Sequence, residues 1–308
     1  MGSLALARST LDRASQRRGD DAWLAKAWAD PQTRVLVIDD GQSLVKFGAD
    51  GASLVLLPPA QAPDGPRFLL GVDAGEHAYF TVMAPLPTWD GAEPAGLRRA
   101  GALLGDRDAG LLTHAVALAN WHATHTHCPR CGALTDPVMS GASRVCRVDG
   151  SEHFPRTDPA VIMAVTDPDD RILLARGPDW GLRRMSILAG FVEPGESAER
   201  AVAREVAEET GITVGEIRYL GSQPWPLPRS LMLGFWARAA GGQQIRVDSE
   251  EIAEAHWFSR DELRAALDSG DLGLPGSVSI AHRIIEAWYG DELPSAWTSR
   301  VGPANPSS

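Results

Sequence analysis

Glu205, Glu208 and Glu209 stand in the run Arg204-Glu205-Val206-Ala207-Glu208-Glu209-Thr210-Gly211-Ile212. On a helix, residues three and four apart share a face, so the three carboxylates are presented together while Ala198, Ala201, Val202 and Val206 make a buried stripe. Like charges so close repel, and a cation that neutralises them removes the cost. Oxygen-only ligation suits Mg²⁺ or Mn²⁺, often alongside substrate phosphates. A solvated helix face would show the same spacing, because charged residues ordinarily cover helices, so the carboxylates alone do not decide.

A second cluster has softer ligands. Cys128-Pro-Arg-Cys131 has knuckle spacing, and a second pair should follow to complete a tetrahedral zinc site, but only Cys146 arrives. An odd cysteine count in a chain with no recognisable export signal points to metal rather than to a disulfide framework. His153 could supply a fourth ligand, and His122, His125 and His127 are further candidates, although histidines are more often ordinary surface or core residues.

The elements that must position these groups follow from apolar patterning. A length of 308 residues suits two domains and a small insert. From Arg34 to Ala84 short apolar runs alternate with Gly, Pro and Asp breaks, which predicts a strand-rich domain. Leu111, Leu112, Ala115, Val116, Leu118 and Ala119 then repeat at helical spacing within a helix from about Asp108 to Thr124. After Pro155 come strands over Ala160–Thr166 and Arg171–Arg176, a Gly-rich loop, a helix over Ser197–Thr210, more strands and two terminal helices. Ser259 and Glu262 form a capping box at the first of these. The mixture is α+β, divided as residues 1–124 strand-rich, 125–156 a ribbon insert, 157–297 a mixed sandwich and 298–308 a disordered tail.

The composition, 44% hydrophobic and 22% charged, is that of a globular protein and excludes wholesale disorder. A net charge of −11 argues against nonspecific nucleic-acid binding, so an anionic substrate must be met by local donors or metal. No apolar stretch approaches the roughly 18 residues of a spanning helix, and the N-terminus lacks a secretory pattern, so a cytoplasmic protein with no membrane partner is expected.

Gly190, Glu196 and the run Arg204 to Ile212 together resemble the Nudix box, Gly-x5-Glu-x7-Arg-Glu-U-x-Glu-Glu-x-Gly-U with U aliphatic, and match every fixed position. The resemblance implies a C-terminal Nudix α/β/α sandwich and hydrolysis of a nucleoside diphosphate linked to another moiety. It makes Glu205 and Glu209 ligands of Mg²⁺ or Mn²⁺, with Glu208 as ligand or base, and Glu196 and Arg204 a structural ion pair.

The array Ser222-Gln223-Pro224-Trp225-Pro226-Leu227-Pro228-Arg229-Ser230 is similar to the SQPWPFPxS signature of the NADH pyrophosphatases, with Leu227 for the phenylalanine. Its three prolines hold the backbone extended, presenting Gln223, Trp225 and Ser230 rigidly. That family cuts NAD(H) to AMP and NMN(H), and the NAD cap of an RNA 5′ end carries the same diphosphate. By the same resemblance Glu251, next to Glu250, and the Ala189 carbonyl are further metal ligands. Phe154, Phe191 and the Ala281 amide contact substrate, and the protein is a homodimer. The fourth zinc ligand of the family's structural ribbon falls on Asp149, ahead of His153. Another dinucleotide or ADP-ribose as substrate, and a catalytically idle NAD or nucleic-acid binding module, are the alternative readings.

Overall fold

The computed structural model describes residues 3–294, so the expected tail at 298–308 and the end of the 157–297 segment lie outside the described residues. The chain divides into two compact units. One holds Leu6–Thr157 together with Pro224–Ser230; the other holds Asp158–Gln223 and, among the described residues, 231–294 and 3–5. The ribbon thus belongs to the first unit, and the array at Ser222–Ser230 passes from one unit to the other after Gln223.

In the first unit, α1 (Asp21–Ala29) starts at Asp20, whose carboxylate accepts the Trp23 amide at 2.9 Å. The apolar runs of the sequence become β1 (Arg34–Ile38), β2 (Gln42–Gly48), β3 (Gly51–Leu54), β4 (Arg67–Val72) and β5 (Ala78–Met83). The third ends before its apolar run does: Val55 still donates to the Leu44 carbonyl and Leu57 pairs with Val35, after which Pro58 and Pro59 close the run. A short β6 (Glu93–Gly96) leads into α2 (Leu97–Ala100). The strands form two small sheets, ordered β1-β5-β4 and β3-β2-β6. Helix α3 (Asp106–Thr124) buries the anticipated stripe Leu111, Leu112, Ala115, Val116, Leu118 and Ala119. It begins two residues early, with Asp106 and Asp108 in the first turn, where carboxylates suit the helix dipole. Buried Asp108 also accepts the Leu54 amide at 2.9 Å, which ties α3 to β3. The ribbon is a three-stranded sheet of β7 (Thr135–Val138), β8 (Ser143–Cys146) and β9 (Glu152–His153).

The second unit is built on a six-stranded sheet of β10 (Asp158–Thr166), β11 (Ile172–Arg176), β12 (Leu188–Phe191), β13 (Val214–Trp225), β14 (Ser230–Ala239) and β15 (Glu254–Phe258), with α4 (Ala198–Thr210) between β12 and β13. Its order is β13-β14-β10-β11-β15, with β12 also pairing β10. Alternation along the strands decides the layers. Ile162, Ala164, Ile172 and Leu174 point into one core with Leu263 and Leu267 of α5 (Arg260–Asp268) and Ile284 and Trp288 of α6 (Ile280–Tyr289). Val161, Met163, Val165 and Leu173 point into the other core, with Ala201, Val202 and Val206 of α4. Helices on both faces of one sheet make the expected α/β/α sandwich within an α+β chain. Ser259 and Glu262 cap α5 reciprocally, as their spacing requires. Among the described residues no helix is long and apolar enough to cross a membrane.

Candidate active site and metal centres

Helix α4 is bounded by polar and glycine signals. The Ser197 side chain accepts the Arg200 amide at its start, and Gly211, at φ 68°, ends it in the left-handed region that glycine enters without strain. Of the three carboxylates expected on one face, the helix treats them unequally. Glu205 and Glu209 turn to the buried side with Ala201, Val202 and Val206, whereas Glu208 stays exposed.

The third member of the cluster arrives from a distant segment. The Arg246 amide donates to the Thr210 carbonyl at 2.8 Å and the Asp248 amide to the Glu209 carbonyl at 3.2 Å, which docks this stretch on the end of α4. A turn then forms, with the Glu250 amide on the Asp248 carboxylate and the Ile252 amide on the Asp248 carbonyl. It brings one Glu251 oxygen within 4.8 Å of oxygens of Glu205 and Glu209. Glu250 takes no part in that cluster.

Electrostatically the site is strained in the direction a cation would relieve. Burial, reinforced by Glu205, Glu251 and Glu208, pushes the Glu209 carboxyl up to about 8. Its Oε2 is buried and has no hydrogen-bond partner. Burial also raises Glu205. An orphaned carboxylate oxygen beside two further carboxylates is a donor set for a hard divalent cation, and the residues present fit one.

Arg204 organises the surroundings. Its guanidinium donates to both Glu196 oxygens at 2.9 and 2.8 Å, and to Glu205, Glu208 and the Phe191 carbonyl at 2.9 Å each. The pairing holds the Glu196 carboxyl below its ordinary value. The family resemblance suggested only the Glu196 partner; Glu205 and Glu208 are neighbours on α4 itself, and the Phe191 contact needs the segment after β12 to fold back over the helix. Ala189 and Gly190 lie in β12, opposite Ile162 and Val161 of β10. Gly190 fronts Glu205 so closely that a side chain there would overlap the carboxylate. That glycine belongs to the box, yet its steric reason is invisible in the sequence.

The residues expected at substrate are placed as follows. Phe191, 60% exposed, follows Gly190 on β12. Gln223 is fully buried and its amide donates to the Val278 carbonyl at 3.0 Å. The Ala281 amide lies in the first turn of α6 and donates to its N-cap, Ser279, at 3.2 Å. In the first unit, Phe154 is 67% exposed, and the Trp225 ring carries the Arg98 guanidinium 5.2 Å from its centroid. Asn120 of α3 donates to the carbonyls of Pro226 and Pro228, at 2.8 and 3.2 Å, fixing the proline turn; Ser230 follows, partly buried.

In the ribbon, Cys128, Cys131, Cys146 and Asp149 bring ligand atoms within 4.8 Å of one another. Cys128 Sγ is 3.7 Å from Asp149 Oδ2, and Cys131 Sγ is 3.5 Å from Cys146 Sγ. Ser151, which sequence reasoning missed, orients Asp149 within this cluster, of which His153 is not a member. Its hydroxyl and amide both donate to Asp149 Oδ1, orienting the carboxylate and keeping it strongly acidic, while the same hydroxyl meets His153 Nε2 at 3.0 Å. A serine two residues after an aspartate is the turn signal that could have revealed it. His122 is otherwise engaged, Nε2 with the Gly141 carbonyl and Nδ1 with Arg144, both at 2.9 Å. His125 and His127 meet their neighbouring threonines.

Comparison with known proteins agrees with this architecture. A family model described as the NUDIX domain matches residues 156–274, and one described as an NADH pyrophosphatase-like rudimentary NUDIX domain matches residues 32–121. The first therefore covers the sandwich from β10 through α5, and the second gives the strand-rich N-terminal region an identity. A Mycobacterium bovis (strain BCG / Pasteur 1173P2) protein named NAD-capped RNA hydrolase NudC is 45% identical, the alignment covering 92% of this chain and 94% of that one. A Pongo abelii protein named NAD-capped RNA hydrolase NUDT12 is 39% identical, over 91% of this chain and 72% of that one. With the box, the array and full-length similarity all in agreement, the chain belongs to the NudC-type NADH pyrophosphatase family of Nudix hydrolases.

Proposed function

We propose that the protein hydrolyses the pyrophosphate of NAD(H) to AMP and NMN(H), and takes the same diphosphate from the NAD cap of RNA 5′ ends. The observation that carries this reading is the Glu205–Glu209–Glu251 cluster, where the unpartnered Glu209 oxygen needs a cation. Glu205, Glu209 and Glu251 would hold Mg²⁺ or Mn²⁺, and family similarity adds the Ala189 carbonyl as a further ligand. When bound, the cation supplies charge stabilisation for phosphoryl transfer and acidifies a water.

The chain's own groups do the positioning. Arg204 fixes Glu205 and keeps Glu208 at the rim of the cluster, where Glu208 can accept a proton from the attacking water. The Glu250/Glu251 pair offers the other candidates for that role. Phe191 offers an exposed ring on which a base can stack. Gln223 positions the segment before α6 rather than reaching substrate by its buried amide. Family similarity assigns Phe154, Trp225, Ser230 and the Ala281 amide to substrate as well. Zinc, held by Cys128, Cys131, Cys146 and Asp149, has a structural role in the ribbon. A cytoplasmic homodimer belongs to the same reading, and light scattering tests the dimer.

The deciding experiment offers NADH, ADP-ribose and a short NAD-capped RNA at equal concentration with Mg²⁺ or Mn²⁺ and separates the products by chromatography. AMP and NMNH from NADH are expected. Cleavage of ADP-ribose alone would replace the substrate, and stoichiometric NAD binding without cleavage would remove the catalytic reading.

A further inference from the structure

Between β11 and β12 the chain makes an excursion, Gly177-Pro178-Asp179-Trp180-Gly181-Leu182-Arg183-Arg184, that the box does not explain. It is closed by a reciprocal backbone pair between Ala175 and Ser186, at 2.8 and 2.9 Å. Both of its feet stand on segments of the carboxylate site. At the first, the Ala253 amide donates to the Arg176 carbonyl at 2.8 Å and Arg176 pairs with Glu254, close along the chain to Glu251. At the second, the chain runs directly into Ala189, Gly190 and Phe191.

Everything from Pro178 to Arg184 is exposed, yet the excursion is well tethered. The Trp180 amide donates to the Gly177 carbonyl, the Arg184 amide to Gly181, and the Gly273 amide to the Arg183 carbonyl. Its side chains are unlike those of a solvated turn. Trp180 is 39% and Leu182 83% exposed, and the Arg184 guanidinium lies 5.1 Å from the Trp180 ring centroid. Among the described residues no carboxylate lies within ion-pair distance of Arg183 or Arg184; Asp179 is the only acid of the segment. In a chain of net charge −11, an exposed tryptophan with Arg184 over its ring and Arg183 next along the chain, neither guanidinium ion-paired among the described residues, is a local exception of the kind single-stranded nucleic acid selects. Bases stack on the ring and phosphates pair with the arginines.

We propose that this excursion is an arm that grips the RNA body behind the cap, with Trp180 stacking a base and Arg183 and Arg184 meeting phosphates. The proposal rests on the cap-hydrolysis reading and deepens it: the arm separates capped RNA from free dinucleotide as substrate.

The test compares the full-length protein with Trp180→Ala and with the double variant Arg183→Ala/Arg184→Ala, measuring kcat/KM on NADH and on an NAD-capped oligoribonucleotide side by side. For capped RNA a loss of about tenfold is expected in each variant. The salt dependence should flatten by about one logarithmic unit of slope per arginine removed. Activity on NADH should stay at the wild-type level. An unchanged ratio between the two substrates overturns the arm. Binding of a fluorescein-labelled, uncapped oligoribonucleotide gives a readout independent of turnover: weaker binding by the variants supports the arm even if the wild type cleaves neither substrate, and equal binding overturns it.

Discussion

Gly190 and the Glu205 carboxylate occupy adjoining space with no room for a methyl group between them: a Cβ on Gly190 would overlap Glu205 Cδ and both of its oxygens. The glycine that opens the box is therefore a steric requirement of a carboxylate fifteen positions later. Gly190→Ala is expected to displace the carboxylate and lower kcat by roughly 10²-fold, the scale of an ångström misplacement at a reacting centre. Near-ultraviolet circular dichroism should meanwhile remain native. Wild-type turnover in this variant would show that Glu205 need not sit where it does.

Glu209 is buried, raised to about 8 and unpartnered through Oε2. A cation that binds the folded state alone stabilises it, by about 2.7 kcal/mol at a hundred times its Kd. Mn²⁺ should therefore raise the Tm of the wild-type protein, and Glu209→Gln should abolish both that rise and turnover while the cation-free variant stays folded. Differential scanning fluorimetry with and without EDTA checks this. A variant that keeps its full metal response would remove Glu209 from the ligand set.

The ribbon makes a separable prediction. Asp149 faces Cys128 across 3.7 Å and is oriented by Ser151, whereas His153 Nε2 meets that same hydroxyl at 3.0 Å. Purified protein should carry about one zinc per chain, as a tetrahedral structural site does. Asp149→Ala should lose it, Asp149→Cys should retain it against chelator for longer, and His153→Ala should leave the content unchanged. Elemental analysis showing zinc lost from His153→Ala but kept in Asp149→Ala would reverse the assignment.

His122 carries a pH dependence with a definite sign. Burial lowers its pKa from 6.5 to about 4, and Arg144 donates to Nδ1, so the folded state holds the neutral ring with its proton on Nε2. Protonation breaks the Arg144 contact and places two cations together. Because the folded pKa lies below the unfolded one, the stabilisation is complete above pH 6.5 and is lost as pH falls towards 4. Urea unfolding should show about 2 kcal/mol less stability at pH 5 than at pH 7 from this group. His122→Gln should remove that share of the slope, and an unchanged slope would assign it to other groups.

Much was legible along the chain because it depends on local order. The apolar runs at Ala160–Thr166 and Arg171–Arg176 foretold β10 and β11, and the stripe Ala198, Ala201, Val202 and Val206 fitted the helix that carries the carboxylates. The start of α5 followed from Ser259 and Glu262, whose capping bonds close within one turn. α1, β6 and α2 went unforeseen, since they are short and α1 buries no residue that would print a periodic stripe.

What composition and spacing could not decide was how unequal the three helix carboxylates are. Helical geometry places Glu205, Glu208 and Glu209 together, but only packing against β12 and the Asp248 turn buries the first and last and leaves Glu208 to Arg204 and solvent. The same holds for the choice of Glu251 over Glu250, which rests on a turn, and of Asp149 over His153 in the ribbon cluster, where one serine hydroxyl orients the carboxylate. Ligand types and their order are properties of the linear chain. Convergence of ligand atoms to within a few ångströms depends on contacts between segments far apart in it, and on the desolvation those contacts impose.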